Sequence, residues 1–251
     1  MKVNQLKAGV ALSYTGMAVS NIISLVYTPV MLRLLGQSEY GLYQLVYSVV
    51  SYLGLLNFGF NNAYLRFYSR YRAQKNEQAV RGLNGMFLTA FSVLSLIAFV
   101  CGIFLSFHCD ILFSGEVETS QISTASVLCV LMTVNLALVF PNGLYEAYAS
   151  AHEQYVFQRI ISLAQSVLNP LLTIPLLLAG YRSVSLILVQ TFLTVCKLSV
   201  NVWYCTHKLD MRFSFRNMQP KVMKEIMIFS SYIFVNMLVD QINWNVGKLI
   251  L

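Results

Sequence analysis

Charged side chains inside long apolar tracts are the residues of this sequence best placed to do chemistry. A charge at bilayer depth is costly, so it usually faces a helix-bundle interior or a water-filled cavity. Lys197 lies about two-thirds of the way through one tract, and Asp240 lies about midway along another, with Lys248 about two turns later. Asp240 is too short to reach the interface, which favours an ion pair or a cavity-lining role. Lys197 either lines a cavity or extends to the cytoplasmic interface.

Two arginines and a group of asparagines are further candidates. Arg33 is at the outer end of the first tract and Arg66 at the inner end of the second, where they are rim charges or cavity cations. Asn57, Asn61 and Asn62 cluster late in the second tract. Such amides either join helices or present a donor and an acceptor to a sugar. Further asparagines lie in other tracts, at Asn21, Asn135, Asn142 and Asn169.

The sequence lacks the common catalytic signatures. It contains no GxGxxG, Walker A, HExxH or GxSxG motif. The histidines, His108, His152 and His207, have no acidic or cysteine neighbour suited to a metal, and the five cysteines form no CxxC pair. We therefore expect that the protein is not an enzyme and that it uses no cofactor and no metal. Without a P-loop, we also expect that any transport is not driven by ATP on this chain.

Long uncharged tracts are the elements that must position these residues. Of the 251 residues, 57% are hydrophobic and 11% are charged, whereas a soluble domain carries about 25% charged residues. Crossing the hydrocarbon core takes about 20 apolar residues. We predict an all-α fold, a polytopic transmembrane helical bundle. Its seven tracts are 8–32, 40–65, 82–109, 119–145, 160–181, 183–205 (interrupted by Lys197) and 226–247 (interrupted by Asp240).

The charges between the tracts predict an orientation. With the N-terminus inside, the inside segments hold thirteen Lys and Arg residues and the short outside loops hold two, Arg33 and Arg182. Such an asymmetry is typical of multi-pass membrane proteins, whose basic loops stay in the cytoplasm. The net charge of +7 therefore reflects orientation and not nucleic-acid binding. The start, Met1–Lys7, is basic, and no cleavable signal peptide is evident. We expect a bacterial inner (cytoplasmic) membrane protein with a cytoplasmic N-terminus.

The tracts also predict a domain organisation. Residues 1–205 would form a six-helix N-terminal transmembrane lobe, 206–225 a basic cytoplasmic linker, and 226–251 the first helix of a truncated second lobe. The seventh tract ends with the chain, and no polar segment follows it. An odd number of helices and an abrupt apolar end indicate a piece of a longer protein.

The most specific pattern is the segment Leu34–Tyr43, which reads LLGQSEYGLY. It resembles the LG-x-x-x-YG-x-Y turn between the first two helices of Wzx-type polysaccharide flippases. These belong to the superfamily that also contains the MATE drug exporters and the lipid II flippase MurJ. Asn57–Phe60, with the basic segment after it, and Asp240–Leu251 are similar to shorter family patterns. The resemblance extends along essentially the whole chain, and it is strongest at the turn.

The resemblance implies a fold and a function. Family members have roughly twelve to fourteen helices in two lobes around a central cavity, so this chain would be the first lobe plus one helix. Their substrates are undecaprenyl-diphosphate-linked oligosaccharides, such as O-antigen units of lipopolysaccharide, which cross the membrane by alternating access. A cationic cavity would hold the diphosphate, and the candidate cations here are Arg33, Arg66, Lys197 and Lys248. The implied partners are this substrate, membrane lipids, and a polysaccharide polymerase with its chain-length machinery.

Three alternatives to a flippase remain. A cation-coupled small-molecule exporter of the same fold would need a carboxylate inside the first lobe, and the interiors of the first six tracts contain none. A membrane acyl- or glycosyltransferase would need paired carboxylates or a His-Asp base near the interface, where the sequence offers an acidic outer loop. A non-transporting assembly protein or fragment would fit a chain that really ends at its last residue, because one lobe cannot enclose a two-lobed cavity.

Overall fold

The computed structural model describes residues 5–57, 59–113, 121–216 and 220–250. Within the last helix, Pro220–Ile250, side chains are described over 221–236 and at Val239. This described part is a bundle of helices without strands, which confirms the predicted all-α polytopic fold. A 3-10 turn, Gly54–Asn57, follows α2, and a π-helical turn, Tyr204–Lys208, follows α8. The α-helices are α1 Gln5–Leu35, α2 Gln37–Leu53, α3 Phe60–Ala73, α4 Glu77–Phe107, α5 Cys109–Leu112, α6 Ile122–Ala151, α7 Tyr155–Leu178, α8 Ser183–Trp203 and α9 Pro220–Ile250.

Five helices in the described part are long and apolar enough to cross a membrane. They correspond to five of the seven predicted tracts, namely the first and the third to sixth. The seventh tract falls within α9, which begins at Pro220 and so includes the last part of the predicted linker. The division of the chain into a lobe, a linker and a second lobe stays a prediction. The spans are Gly9–Leu35, Glu77–Phe107, Ile122–Ala151, Tyr155–Leu178 and Ser183–Lys208.

The second predicted tract, 40–65, is not one continuous helix. Helix α2 ends at Leu53, a 3-10 turn follows, and Gly59 precedes α3 with a φ of 68°. Glycine adopts this left-handed conformation without the steric cost that a Cβ would bring. A side chain at Gly59 would also overlap Ile233 of α9. The expectation of a single helix is therefore corrected to two helices with a break between them, and Asn57 and Asn61 flank that break.

Helix α6 is the centre of the bundle, because it packs against α2, α3, α4 and α8. Its C-terminal half meets a buried aromatic cluster in which the Phe60 and Phe87 rings lie edge to face at 6.0 Å. Helices α1 and α7 pack mainly on each other, and α7 also contacts α8. Most side chains of α1 are exposed, and only 6% of its most apolar window is buried. In a membrane, such a face meets lipid, another lobe or a wet cavity.

A carboxylate caps the start of α8. Glu39 of α2 is only 13% exposed at its side chain, and its Oε1 accepts hydrogen bonds from the backbone N–H and the hydroxyl of Ser183, at 2.9 and 2.8 Å. Its Oε2 lies 3.6 Å from Arg182 Nε. The first N–H groups of a helix have no partner within the helix, and a negative charge there also favours the helix dipole. Glu39 lies in the LLGQSEYGLY segment, so this segment fixes α8 to α2.

We expect Glu39→Ala to lower the free energy of unfolding by about 1–2 kcal/mol, the usual range for a lost helix cap with a charged acceptor. Thermal unfolding of the purified protein in detergent measures the change. The matched control is Glu77→Ala, because Glu77 is 86% exposed and makes only a surface ion pair. Equal losses from the two variants would show that the cap contributes nothing beyond a surface charge.

Candidate functional site

Helix α8 carries a stripe of polar residues at helical spacing. Gln190, Thr194, Lys197 and Asn201 follow each other by four, three and four residues, which places them on one face. Each makes a polar contact with a side chain of another helix. Asn169 Nδ2 of α7 donates to Gln190 Oε1 at 2.6 Å. The other three partners all lie on α6.

The middle of the stripe contains an ion pair. Lys197 Nζ lies 2.6 Å from Oε1 of Glu146, and the two side chains are 21% and 34% exposed. Asn142 Nδ2 donates to the same oxygen at 2.8 Å. Asn201 Nδ2 in turn donates to Asn142 Oδ1 at 2.7 Å. The ammonium of Lys197 is thereby neutralised within the bundle, which favours an internal role for Lys197.

The position of Glu146 corrects one expectation from the sequence. The sequence assigned Glu146 to a cytoplasmic loop, because its charge ends an uncharged tract. In the structure the helix continues to Ala151, and the span Ile122–Ala151 includes Glu146. Glu146 therefore lies on α6, five residues before its end, and not in a loop, while the expectation that the interiors of the first six spans lack a carboxylate stays a prediction. The carboxylate is tolerated there because Lys197 and Asn142 satisfy it.

The N-terminal half of the stripe borders two cavities. Asn135 Nδ2 of α6 donates to Thr194 Oγ1 at 2.9 Å. Gln190 is half-buried and lines both a cavity of about 410 Å³ between α1, α7 and α8 and one of about 520 Å³ between α2, α6 and α8. Asn135 and Tyr43 line the second cavity. Gln190 thus joins two polar grooves within the membrane-spanning part of the protein.

A third groove, of about 390 Å³, continues along α1 and α7 toward Arg159. Its lining and that of the adjoining cavity are rich in hydroxyl and amide groups. The side-chain amides of Asn21 and Gln165 make no hydrogen bond to another described residue. The polar residues of α1 and α7 in this seam are Ser13, Ser20, Asn21, Ser24, Tyr27, Arg159, Ser162, Gln165, Ser166 and Asn169. We call this set the α1–α7 seam.

The remaining predicted site residues lie apart from the seam. Arg33 is exposed in the last turn of α1, as expected of a rim charge. Arg66 is exposed on α3, and its guanidinium carbon lies 4.3 Å from the centre of the Phe229 ring of α9. Neither is among the residues that line the seam. Asp240 and Lys248 belong to α9, and their side chains are outside the described part of the chain.

The asparagines of the predicted site divide into two kinds. Asn135, Asn142 and Asn169 join helices by hydrogen bonds. The side-chain oxygens of Asn57 and Asn61 are buried without a hydrogen-bond donor in the described part of the chain. Asn61 faces α6 at a glycine, Gly143, where a Cβ would lie 3.1 Å from its oxygen. A buried acceptor without a donor is uncommon in proteins.

Sequence reasoning missed most members of this site, although part of the signal was visible. The spacing of Gln190, Thr194 and Asn201 around Lys197 already marks one face of a helix. The seam was not visible in the same way, because it depends on α1 lying beside α7. Ser20 and Ser166, whose hydroxyls lie 3.4 Å apart across this interface, are 146 residues apart in the chain.

The family comparison decides what class of protein carries this arrangement. The family model described as "Polysaccharide biosynthesis protein" matches residues 6–251. The chain belongs to this family. No curated protein matches the chain. Because five of its described helices are long and apolar enough to span a membrane, the chain is a multi-pass membrane protein of the polysaccharide biosynthesis family.

Solved transporter structures share the fold. An outward-facing multidrug resistance MATE transporter of the MOP superfamily superimposes with a TM-score of 0.75 at 16% identity, over 95% of this chain and 55% of that one. A MOP superfamily transporter from Pyrococcus furiosus gives 0.71 at 18% identity, over 95% and 54%. A MATE protein in complex with MaD3S gives 0.72 at 18% identity, over 95% and 55%. The chain therefore has the fold of these transporters and spans about half of their length.

Proposed function

We propose that the protein is a transporter of the Wzx flippase type, which moves an undecaprenyl-diphosphate-linked oligosaccharide across the cytoplasmic membrane for surface polysaccharide synthesis. The observation that carries the proposal is the α1–α7 seam. It presents uncommitted amides and several hydroxyls on the exposed side of two membrane helices. Sugar hydroxyls are both donors and acceptors, and such groups bind them well. Lipid tails cannot form hydrogen bonds with such a surface.

The charge of the seam fits the anionic end of this substrate. Arg159 is exposed at the end of the seam, and no carboxylate lines the groove beside it. A guanidinium binds phosphate oxygens in pairs. In the proposed mechanism, the diphosphate enters near Arg159 and the sugars pass along the seam while two lobes alternate. Arg33, Arg66, Lys197 and Lys248 stay candidate cations for the rest of the path, and Asp240 stays a candidate cavity residue.

The orientation belongs to this proposal. With the basic loops inside, the N-terminus and Arg159 would lie in the cytoplasm, on the side where a lipid-linked precursor would be made. In this proposal, the protein lies in the bacterial inner membrane. A polysaccharide polymerase with its chain-length machinery would receive the product on the outer face. These partners follow from the substrate class, since a flipped repeat unit must next be polymerised.

Complementation of a deletion strain tests the proposal. Deleting the gene should abolish the surface polysaccharide and cause lipid-linked repeat units to accumulate. We expect Asn21→Leu and Gln165→Leu each to lower export by roughly three- to tenfold at equal expression, the effect of losing about one hydrogen bond. The control is Ser199→Val, because Ser199 is an exposed polar residue of α8 that lies outside the seam. Unchanged polysaccharide in the deletion strain would refute the proposal.

A second candidate function is cation-coupled export of small molecules, and Glu146 favours it. A carboxylate inside the first lobe is what a coupling ion needs. However, Lys197 already occupies one of its oxygens at 2.6 Å, and an incoming cation would have to displace the ammonium. Efflux of cationic dyes distinguishes the two functions. If the deletion strain exported dyes poorly but made normal polysaccharide, the function would be the export of small molecules.

A further inference from the structure

A separate cavity of about 530 Å³ opens on the predicted cytoplasmic side. Its walls are the turn between α3 and α4, the first turns of α4, the end of α6, and the segment 209–212 that follows the π-helical turn. None of its lining residues belongs to α1, α7 or α8. The cavity is therefore distinct from the α1–α7 seam, and the inference below does not depend on the proposed transport function.

The cavity carries an excess of positive charge. Four basic and two acidic side chains line it. Arg81 pairs with Glu77 at 3.5 Å, and Arg212 pairs with Asp210 at 3.1 Å. The two other cations, Arg72 and Lys75, form no ion pair with a described carboxylate. Two positive charges thus face this cavity without compensation.

A hydrogen-bond chain orients one of these cations. Arg72 donates from a terminal nitrogen to Tyr68 Oη at 3.1 Å. Tyr68 Oη lies 3.0 Å from His152 Nε2, and His152 Nδ1 lies 3.0 Å from the carbonyl oxygen of Tyr148. A consistent assignment has Nδ1–H donating to that carbonyl and Tyr68 donating to Nε2. The remaining guanidinium N–H groups of Arg72 stay available to a ligand.

The protonation of His152 agrees with this assignment. Burial lowers the pKa of His152 below its usual 6.5; the hydrogen bond to the Tyr148 carbonyl opposes part of this effect, and the positive charge of Arg72 lowers the pKa by a smaller amount. The other groups at its ring are Tyr68 and Tyr148, which are uncharged near neutral pH. His152 is therefore neutral at pH 7. An anion placed beside Arg72 would favour the imidazolium and raise the pKa of His152.

Hydrogen bonds hold the cavity wall formed by the segment after the π-helical turn. Asn84 is buried, and its Nδ2 donates to the Arg212 carbonyl at 2.9 Å. The Ser214 N–H donates to the Arg81 carbonyl at 2.9 Å. Tyr148 Oη donates to the Leu209 carbonyl at 3.1 Å. The cavity is thereby preformed by elements far apart in sequence, which reduces the ordering cost of binding a ligand.

We propose that this cavity binds a phosphate group, a phosphomonoester or a diphosphate, through Arg72 and Lys75. A guanidinium offers paired donors to phosphate oxygens, and an ammonium adds a point charge. The cavity also includes the N-terminal end of the long helix α4, whose dipole favours anions. The phosphate belongs either to a soluble compound or to the headgroup of an anionic membrane lipid.

Binding to the full chain in nanodiscs of zwitterionic lipid tests the proposal. One arm adds inorganic pyrophosphate to the solution, and the other replaces a fraction of the lipid with phosphatidate. The readouts are the unfolding temperature and the pKa of His152 by NMR of ¹⁵N-histidine, with His152→Gln assigning the signal. We expect at least one of the two ligands to raise both the unfolding temperature and the pKa of His152. A response to pyrophosphate identifies a soluble ligand, and a response to phosphatidate alone identifies a lipid headgroup.

Matched variants show whether the site is specific. The double variant Arg72→Gln/Lys75→Gln should weaken the response about tenfold or more, since it removes both uncompensated cations. The control Lys208→Gln/Arg216→Gln removes the same charge from exposed residues outside the cavity and should keep the response. The proposal is overturned if neither arm shifts the two readouts, or if the control loses as much of the response as the cavity variant.

Discussion

Replacing Glu146 by Leu should lower the free energy of unfolding by about 2–4 kcal/mol, because it leaves the ammonium of Lys197 without its partner inside the bundle. The loss should be smaller than for a fully buried pair, since the Lys197 and Glu146 side chains keep 21% and 34% exposure. Replacing both residues by Leu should recover most of the stability, because no unpaired charge remains. Denaturation in detergent measures all three proteins.

The chain provides a matched control for this cycle. Arg70 and Glu225 form an exposed pair at 3.5 Å, with side chains 59% and 57% exposed. Such pairs contribute about 0–1 kcal/mol, so Glu225→Leu should change stability little. If Glu146→Leu and Glu225→Leu had equal effects, the pair in the span would be no more important than a surface contact. A double variant as unstable as Glu146→Leu would also contradict the ion-pair interpretation.

The second large effect is expected at Gly102, where α4 packs closely against Thr133 of α6. A Cβ at Gly102 would overlap the side chain of Thr133, which is fully buried and whose hydroxyl donates to the Cys129 carbonyl at 2.7 Å. We expect Gly102→Ala to destabilise the protein by about 1–3 kcal/mol, the usual cost of overpacking. Unfolding temperature in detergent measures the loss. The size swap Gly102→Ala/Thr133→Gly should restore stability.

Gly41 is the control for this substitution. It lies inside α2, it is exposed, and a Cβ there would meet no atom within 4 Å. Alanine is a better helix former than glycine by about 1 kcal/mol, so Gly41→Ala should be neutral or slightly stabilising. A loss at Gly41 equal to that at Gly102 would mean that the backbone change, and not the α4–α6 contact, causes the effect.

The helices could be predicted from the sequence because one physical requirement governs them. An apolar tract of sufficient length must be helical in a bilayer, so 82–109 and 160–181 were recognisable by composition alone. The break at Gly59 was not recognisable by composition, since glycine is common in membrane helices. The neighbour that leaves no room for a Cβ there is Ile233, which comes from α9 and lies 174 residues later in the chain.

The candidate site was less accessible for a related reason. A charge was taken as the end of a span, which placed Glu146 in a loop, and only the partner Lys197 explains why the charge is tolerated inside the helix. Glu39 falls between two predicted tracts, 8–32 and 40–65, although it lies on α2 and caps α8 through Ser183. In both cases the partner lies far along the chain. A single sequence does not state which helices are neighbours, so polar pairs between them stay hidden.

The polar stripe of α8 also determines which part of the lobe is stiff. Its contacts with α6 lie at successive levels, so sliding α8 by one turn would break the bonds of Thr194, Lys197 and Asn201 together. Between α1 and α7, by contrast, the hydrogen bond between the Ser20 and Ser166 hydroxyls is long, at 3.4 Å, and Met31 and Leu177 meet in an apolar cluster. Helices α6 and α8 therefore form a rigid frame. We therefore expect the α1–α7 pair, which presents the polar seam, to shift more easily than the α6–α8 pair.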